Sequence, residues 1–299
     1  MNIVRTFTLI LSFWMLSSCG DNKMVETKEI PQSITQKVDN ALLVINDPLK
    51  AFNSIAIIDH HRMAKETGVY TPPSIAIIFS DSEVEIPLVK ENQLVGLDLP
   101  FKVLCFSEPD TMNAKVAFTS GDFIQKRHNI NPEIMAEYQS KMEKIISSYP
   151  IEMVSKTDIS NVSEGFGIVN IQSELNFDST ISNLKSIVMS QGDTKWFGDI
   201  NYQKEAASMN IELRPTVLLL FGAPLPGGKA MVTFPKIGLD AFCQKLLVYE
   251  KENGEVWIAY NNIVDFAELY YQSSTKPQQM INERLKMTFT KAVSLPDSK

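Results

Sequence analysis

The stretch RMAKETGVYTPPSIAIIF (62–79) lines up without a gap on KEAASMNIELRPTVLLLF (204–221), matching Ala64 to Ala206, Pro73 to Pro215 and Phe79 to Phe221. The offset of 142 persists downstream, where VGLD (95–98) meets IGLD (237–240). After a one-residue slip, KVLCF (102–106) meets KLLVY (245–249). A run of matches at one spacing identifies an internal duplication, so reading one copy reads the fold.

In the second copy GIVNIQ (167–172) is strand-like, DSTISNLKSIVM (178–189) has the periodicity of an amphipathic helix, and KWFGDI (195–200) is a short strand. A short helix over 203–209 ends before Pro215. TVLLLF (216–221), bounded by Pro215 and Gly222, has the length and continuous apolarity of a strand buried on both faces. Asn253-Gly254 inside KLLVYEKENGEVWIAY (245–260) marks a β-hairpin. Each copy closes on a helix, with stripes Met135, Tyr138, Met142, Ile145 and Ile281, Leu285, Phe289, Ala292; Pro132 after Asn131 starts the first. The expected fold is α+β: two copies of a small α/β-sandwich-like domain with a mixed sheet and a hairpin, packed as an intramolecular pseudo-dimer. The expected boundaries are 33–149 and 167–299, with the polar, turn-rich 150–166 as linker.

Of 299 residues, 44% are hydrophobic and 21% charged, enough for two cores, and the formal charge of −7 without a Lys/Arg run argues against a nucleic-acid partner. The first residues carry Arg5, an apolar stretch over 6–16 too short to span a bilayer, and then Leu16-Ser17-Ser18-Cys19. That ending resembles the bacterial lipobox. It implies a leader of 1–18, a lipidated Cys19 holding the protein on a membrane, and a polar tether of 19–32, hence a lipid-anchored protein of the bacterial cell envelope. Cys105 and Cys243 both stand in apolar contexts, where a buried thiol and a disulfide are both open.

The repeated motifs resemble those of the domain of unknown function 302 family, present twice. They are IDHHRMA (58–64), PPSIAIIF (72–79), GLDLPFK (96–102) and FIQKRHNI (123–130) in copy one, and RPTVLLLFGAP (214–224) and GLDAFCQK (238–245) in copy two. The resemblance implies a compact α/β unit that tends to pair, and it brings no agreed activity. It also marks two histidine positions, His60 and His128 in copy one, where copy two has Tyr202 and Tyr271.

All three histidines lie in copy one. The adjacent His60 and His61 do not have two-ligand metal spacing, so a metal would need one of them with His128 and Asp59 or Asp81. No metal and no cofactor is expected. Either His60 bonds the strand-to-helix junction while His61 is solvated, or His60, His128 and Asp59 line a ligand pocket. GAPLPGGKA (222–230) lacks phosphate-loop spacing and reads as a turn before a helix. The expectation is an envelope lipoprotein that binds a small molecule or a protein partner. An enzyme using His60 and His128 as acid–base residues, and a structural spacer, are the alternatives.

Overall fold

The structure, a computed structural model, describes residues 33–295; the expected leader, Cys19 and the whole of the tether lie outside the described residues. Copy one runs α1 (Ile34–Leu43), α2 (Asn46–Leu49), β1 (Asn53–Asp59), α3 (His60–Glu66), β2 (Ser74–Ser80), α4 (Ser82–Glu91), a 3-10 segment (Gln93–Leu97), β3 (Phe101–Phe106), β4 (Lys115–Phe118), α5 (Gly121–His128) and α6 (Pro132–Ile146). Copy two runs β5 (Ile168–Gln172), α7 (Phe177–Met189), β6 (Lys195–Asn201), α8 (Tyr202–Ser208), β7 (Thr216–Gly222), α9 (Pro224–Met231), a 3-10 segment (Pro235–Gly238), β8 (Gln244–Glu250), β9 (Val256–Asn261), α10 (Ile263–Tyr271) and α11 (Lys276–Val293).

The local chemistry of the two copies matches. Asp59 caps α3 by accepting from the Arg62 amide, and Asn201 caps α8 by accepting from the Lys204 amide, both three residues on. Asn131 caps α6 with Pro132 behind it, as the sequence indicates. β2 and β7 are buried along their whole length because each is the inner strand of its sheet with helices against it.

The sheets are ordered β1-β2-β3-β4 and β5-β9-β8-β7-β6. Every named ladder is antiparallel, where a mixed sheet was expected. For neighbours consecutive in the chain the reason is local, since a short connection or a helical one returns the chain beside the strand it left; β5 joins the edge of β9 from the far end of copy two. The parallel contact among the described residues is an isolated bridge from Val116 to Val154.

The two copies fold as one compact unit with a shared core. Each extends its 3-10 segment over the other's sheet: Gln93–Leu97 lies on β7, β8 and β9, and Pro235–Gly238 on β2 and β3. Helices pair the same way, α3 with α9 and α4 with α8. α9 occupies the stretch expected to be a turn, despite two prolines and two glycines. A Cβ at Gly228 would stand 2.7 Å from the Ala64 Cβ, so glycine is what lets α9 lie so close to α3. The segment between the copies is bound down, with Lys126 donating to the Ile159 and Ser160 carbonyls and Gly165 donating to the Arg127 carbonyl.

Candidate functional site

His60 and Tyr202, equivalent residues at the starts of α3 and α8, both cross the interface. Tyr202 donates to the Gly96 carbonyl at 3.2 Å in copy one. His60 reaches Gly238 in copy two, where a Cβ would stand 3.0 Å from the ring; a Cβ at Gly96 would stand 3.0 Å from the Tyr202 ring. Glycine at 96 and 238 thus makes room for a ring from the other copy. His60 is buried among Ile58, Met63, Phe197, Met231 and Phe242 beside a cavity of about 30 Å³, room for one water. Its Nε2 has no hydrogen-bond partner, and burial pushes its pKa down to about 4. Near neutral pH the ring is uncharged.

His128 has different neighbours. Its Nε2–H donates to Asp98 Oδ2 at 2.6 Å, and the Arg127 guanidinium grips the same carboxylate at 2.7 and 2.8 Å. All three side chains are buried. Burial opposes ionisation of Asp98, but Arg127, His128 and Lys102 outweigh it and hold the carboxyl well below the usual range. Burial pulls the His128 pKa down, against the pull of Asp98. Arg127 continues across the interface to Asn261 Oδ1 at 2.7 Å and the Phe166 carbonyl at 2.8 Å, with its guanidinium 5.1 Å from the Phe266 ring centroid.

Asp240, the equivalent of Asp98, is held differently. Its oxygens accept from Thr119 at 3.1 Å and from Tyr270, and Lys102 of copy one lies 3.2 Å away. Lys245, the equivalent of Lys102, stands 3.6 Å from Asp240 Oδ1, within ion-pair range, but its amine makes no hydrogen bond. Two carboxylates therefore face three buried cationic side chains, Lys102, Lys245 and Arg127. Burial and the neighbouring Lys102 push the Lys245 pKa down to about 7, which relieves the excess charge.

Asp240 and Tyr270 line a cavity of about 460 Å³. Its apolar lining includes Phe118, Met142, Ile146, Ile151, Val154 and Ile159, and its polar and charged lining includes Ser120, Asp122, Gln139, Glu143 and Lys156. Copy one and the connecting segment supply the walls, and copy two supplies Asp240 and Tyr270. A cavity of this size lined by both apolar and polar side chains has the form of a small-ligand site.

The residues expected to form a site are dispersed over these environments. Asp59 serves as the α3 cap and pairs with Arg62. His61 is buried, not solvated, with Nδ1 2.6 Å from the Thr71 carbonyl, because α3 turns it under the loop before β2. Tyr271 donates to Glu108 at 3.2 Å and accepts from the Lys236 amide at 2.9 Å. Cys105 and Cys243 are free and buried, each thiol pushed up to about 12 by burial. Among the described residues no group of three or more His, Cys, Asp or Glu is arranged to hold a metal. No described helix is long and apolar enough to cross a membrane. Sequence reasoning passed over Asp98, Lys102, Asp240 and Lys245, treating them as landmarks of the repeat. The signal was available: they are charged residues kept in both copies inside apolar runs.

The family model "Domain of unknown function DUF302" matches residues 26–149 and 169–291. A solved structure of an uncharacterized conserved protein DUF302 from Bacillus stearothermophilus covers 42% of this chain and 95% of its own, at 14% identity and a TM-score of 0.35. Among curated proteins, the Fluoride-specific ion channel FluC 1 of Brucella suis biovar 1 (strain 1330) is 31% identical over 80 residues, 26% of this chain and 30% of that protein. The Fluoride-specific ion channel FluC 2 of Brucella melitensis biotype 1 is 31% identical over 80 residues, 26% of this chain and 28% of that protein. The chain thus spans less than a third of the length of these curated relatives. With both copies matched over most of their length, this chain belongs to the DUF302 family as a tandem repeat.

Proposed function

We propose that this protein is a ligand-binding lipoprotein of the bacterial cell envelope, anchored through Cys19, and that its ligand occupies the 460 Å³ cavity lined in part by Asp240 and Tyr270. The observation that carries the reading is the cavity, lined by apolar and polar side chains with contributions from both copies. An acid–base enzyme built on His60 and His128 has less support. The two rings have different partners, and burial lowers both pKa values, that of His60 to about 4.

The test uses Nile red, a neutral dye that brightens in apolar sites, with Thr157→Trp placing a large ring at the half-buried cavity wall. Dye emission with the wild type and its loss in the variant, at unchanged thermal midpoint, is the expected result. Equal emission from both proteins overturns the cavity as the site. The anchor is tested separately: Cys19→Ala should abolish incorporation of radiolabelled palmitate, and continued labelling would refute it.

A further inference from the structure

His60 is only 7% exposed, yet its Nε2 finds no hydrogen-bond partner among the described residues. Most buried polar atoms are paired, so this one asks for an explanation. The cavity of about 30 Å³ beside it gathers three sulfur side chains, because Met63, Met231 and Cys243 line it together with His60. Helix geometry accounts for the convergence. His60 and Met63 stand three positions apart on α3, and Gly228 and Met231 three positions apart on α9, so each pair shares a helix face. The close packing of Gly228 on Ala64 brings those faces together. A Cβ at Gly238 would stand 2.8 Å from Met231 Cε and 3.1 Å from His60 Nε2, so the end of the thioether and the imidazole nitrogen approach one point. The other copy holds Tyr202, Glu205 and Val89 at the positions equivalent to His60, Met63 and Met231. Gln244 pairs with Phe221 as Phe101 pairs with Phe79, which makes Pro100 the equivalent of Cys243. None of these four carries a sulfur or an imidazole, so the whole donor set belongs to one of two equivalent places.

We propose that His60, Met63, Met231 and Cys243 form a binding site for one Cu(I) ion at the contact between α3 and α9. Among the described residues this site shares no lining residue with the 460 Å³ cavity, and it does not rest on that cavity. Thioether and thiolate sulfurs are soft donors that select Cu(I), and a neutral imidazole suits copper as well. No carboxylate among the described residues lines the site, which disfavours the hard cations Mg(II) and Ca(II). Water is a poor occupant because it needs about two to four hydrogen bonds, and thioethers and a thiol are weak acceptors. A monovalent ion suits the apolar shell of Ile58, Phe197 and Phe242, where every further charge adds to the cost of burial. The unbranched Met63 and Met231 can close on the ion by rotation about their own bonds. As the Cu–S bond to Cys243 forms, the S–H bond breaks and its proton leaves to solvent. The copper stays Cu(I), so no electron is exchanged. Lys102 and Lys245 favour the resulting thiolate by their charge.

The test titrates Cu(I), without oxygen, into the full chain carrying Cys19→Ala, in competition with the colorimetric chelator bicinchoninate. Cys105 and Cys243 are then the remaining thiols. The protein should withdraw one equivalent of copper from the chelator. His60→Phe and, separately, the double variant Met63→Leu/Met231→Leu keep the local volume and should each weaken binding by at least roughly tenfold. Cys105→Ala should bind as tightly as its parent. Near-UV circular dichroism checks that each variant folds, and if one does not, the other decides. X-ray absorption at the copper edge needs no variant: the loaded chain should show sulfur and imidazole nitrogen both at bonding distance. The proposal is overturned if the chelator keeps its copper, if affinity is unchanged in a folded His60→Phe or double variant, if the copper follows Cys105 and not His60, or if the absorption spectrum shows sulfur without nitrogen. Nile red binding tests the other cavity and is unaffected by any of these results.

Discussion

His60→Phe separates the cost of a buried imidazole from every other titration in the protein. The folded-state pKa of His60 is lowered to about 4, against an ordinary value of 6.5 that the unfolded chain retains. Between those two values the unfolded chain binds a proton that the folded chain does not, so stability falls as the pH falls through 6.5 and stops falling below about 4. Each pH unit of that window is worth ~1.4 kcal/mol, so acidifying from pH 7 to 5 costs about 2 kcal/mol through this residue alone. Phenylalanine keeps an aromatic ring against Met63, Phe197, Met231 and Phe242, and it removes the Nε2 that lacks a partner. The extra ring atom is small beside the adjacent cavity of about 30 Å³. At pH 7 the variant should therefore match the wild type within about 1.5 kcal/mol. Urea unfolding at pH 7 and pH 5, with unchanged m-value, measures the difference. Parallel loss of stability in the two proteins would refute the neutral, buried His60.

The equivalent lysines should respond unequally. Lys102→Met removes the amine that bridges Asp98 and Asp240 and should destabilise by about 3 kcal/mol, as losing one partner of a buried pair does. Lys245→Met removes a buried amine without a hydrogen bond and should be neutral or stabilising in the same urea assay; equal losses would show that the asymmetry between the copies is unimportant. Cys105 and Cys243 should resist a thiol reagent in the native protein and both react once it is unfolded without reductant, because burial keeps each thiol protonated. Unreactive thiols after unfolding would mean a disulfide.

The sequence by itself determined the repeat, the element order and most of the strands and helices, because periodicity, caps and turn residues act over a few positions. Asn131-Pro132, Asn253-Gly254 and the apolar run of β7 are legible for that reason. It also marked which copy carries the histidines. The tertiary structure decided where those histidines go, because the partners lie far away in the chain. His60 meets Gly238 and Thr119 meets Asp240, 121 positions on in the latter case, and no local pattern encodes a meeting that depends on how two copies dock. The helical state of Pro224–Met231 is of the same kind, since close packing of Gly228 on Ala64 outweighs a local sequence that favours a turn. Docking also converts one repeated Asp and Lys into two environments. Arg127 and His128 satisfy Asp98 within copy one, Tyr270 brings Asp240 no positive charge, and Lys102 therefore reaches across to neutralise it.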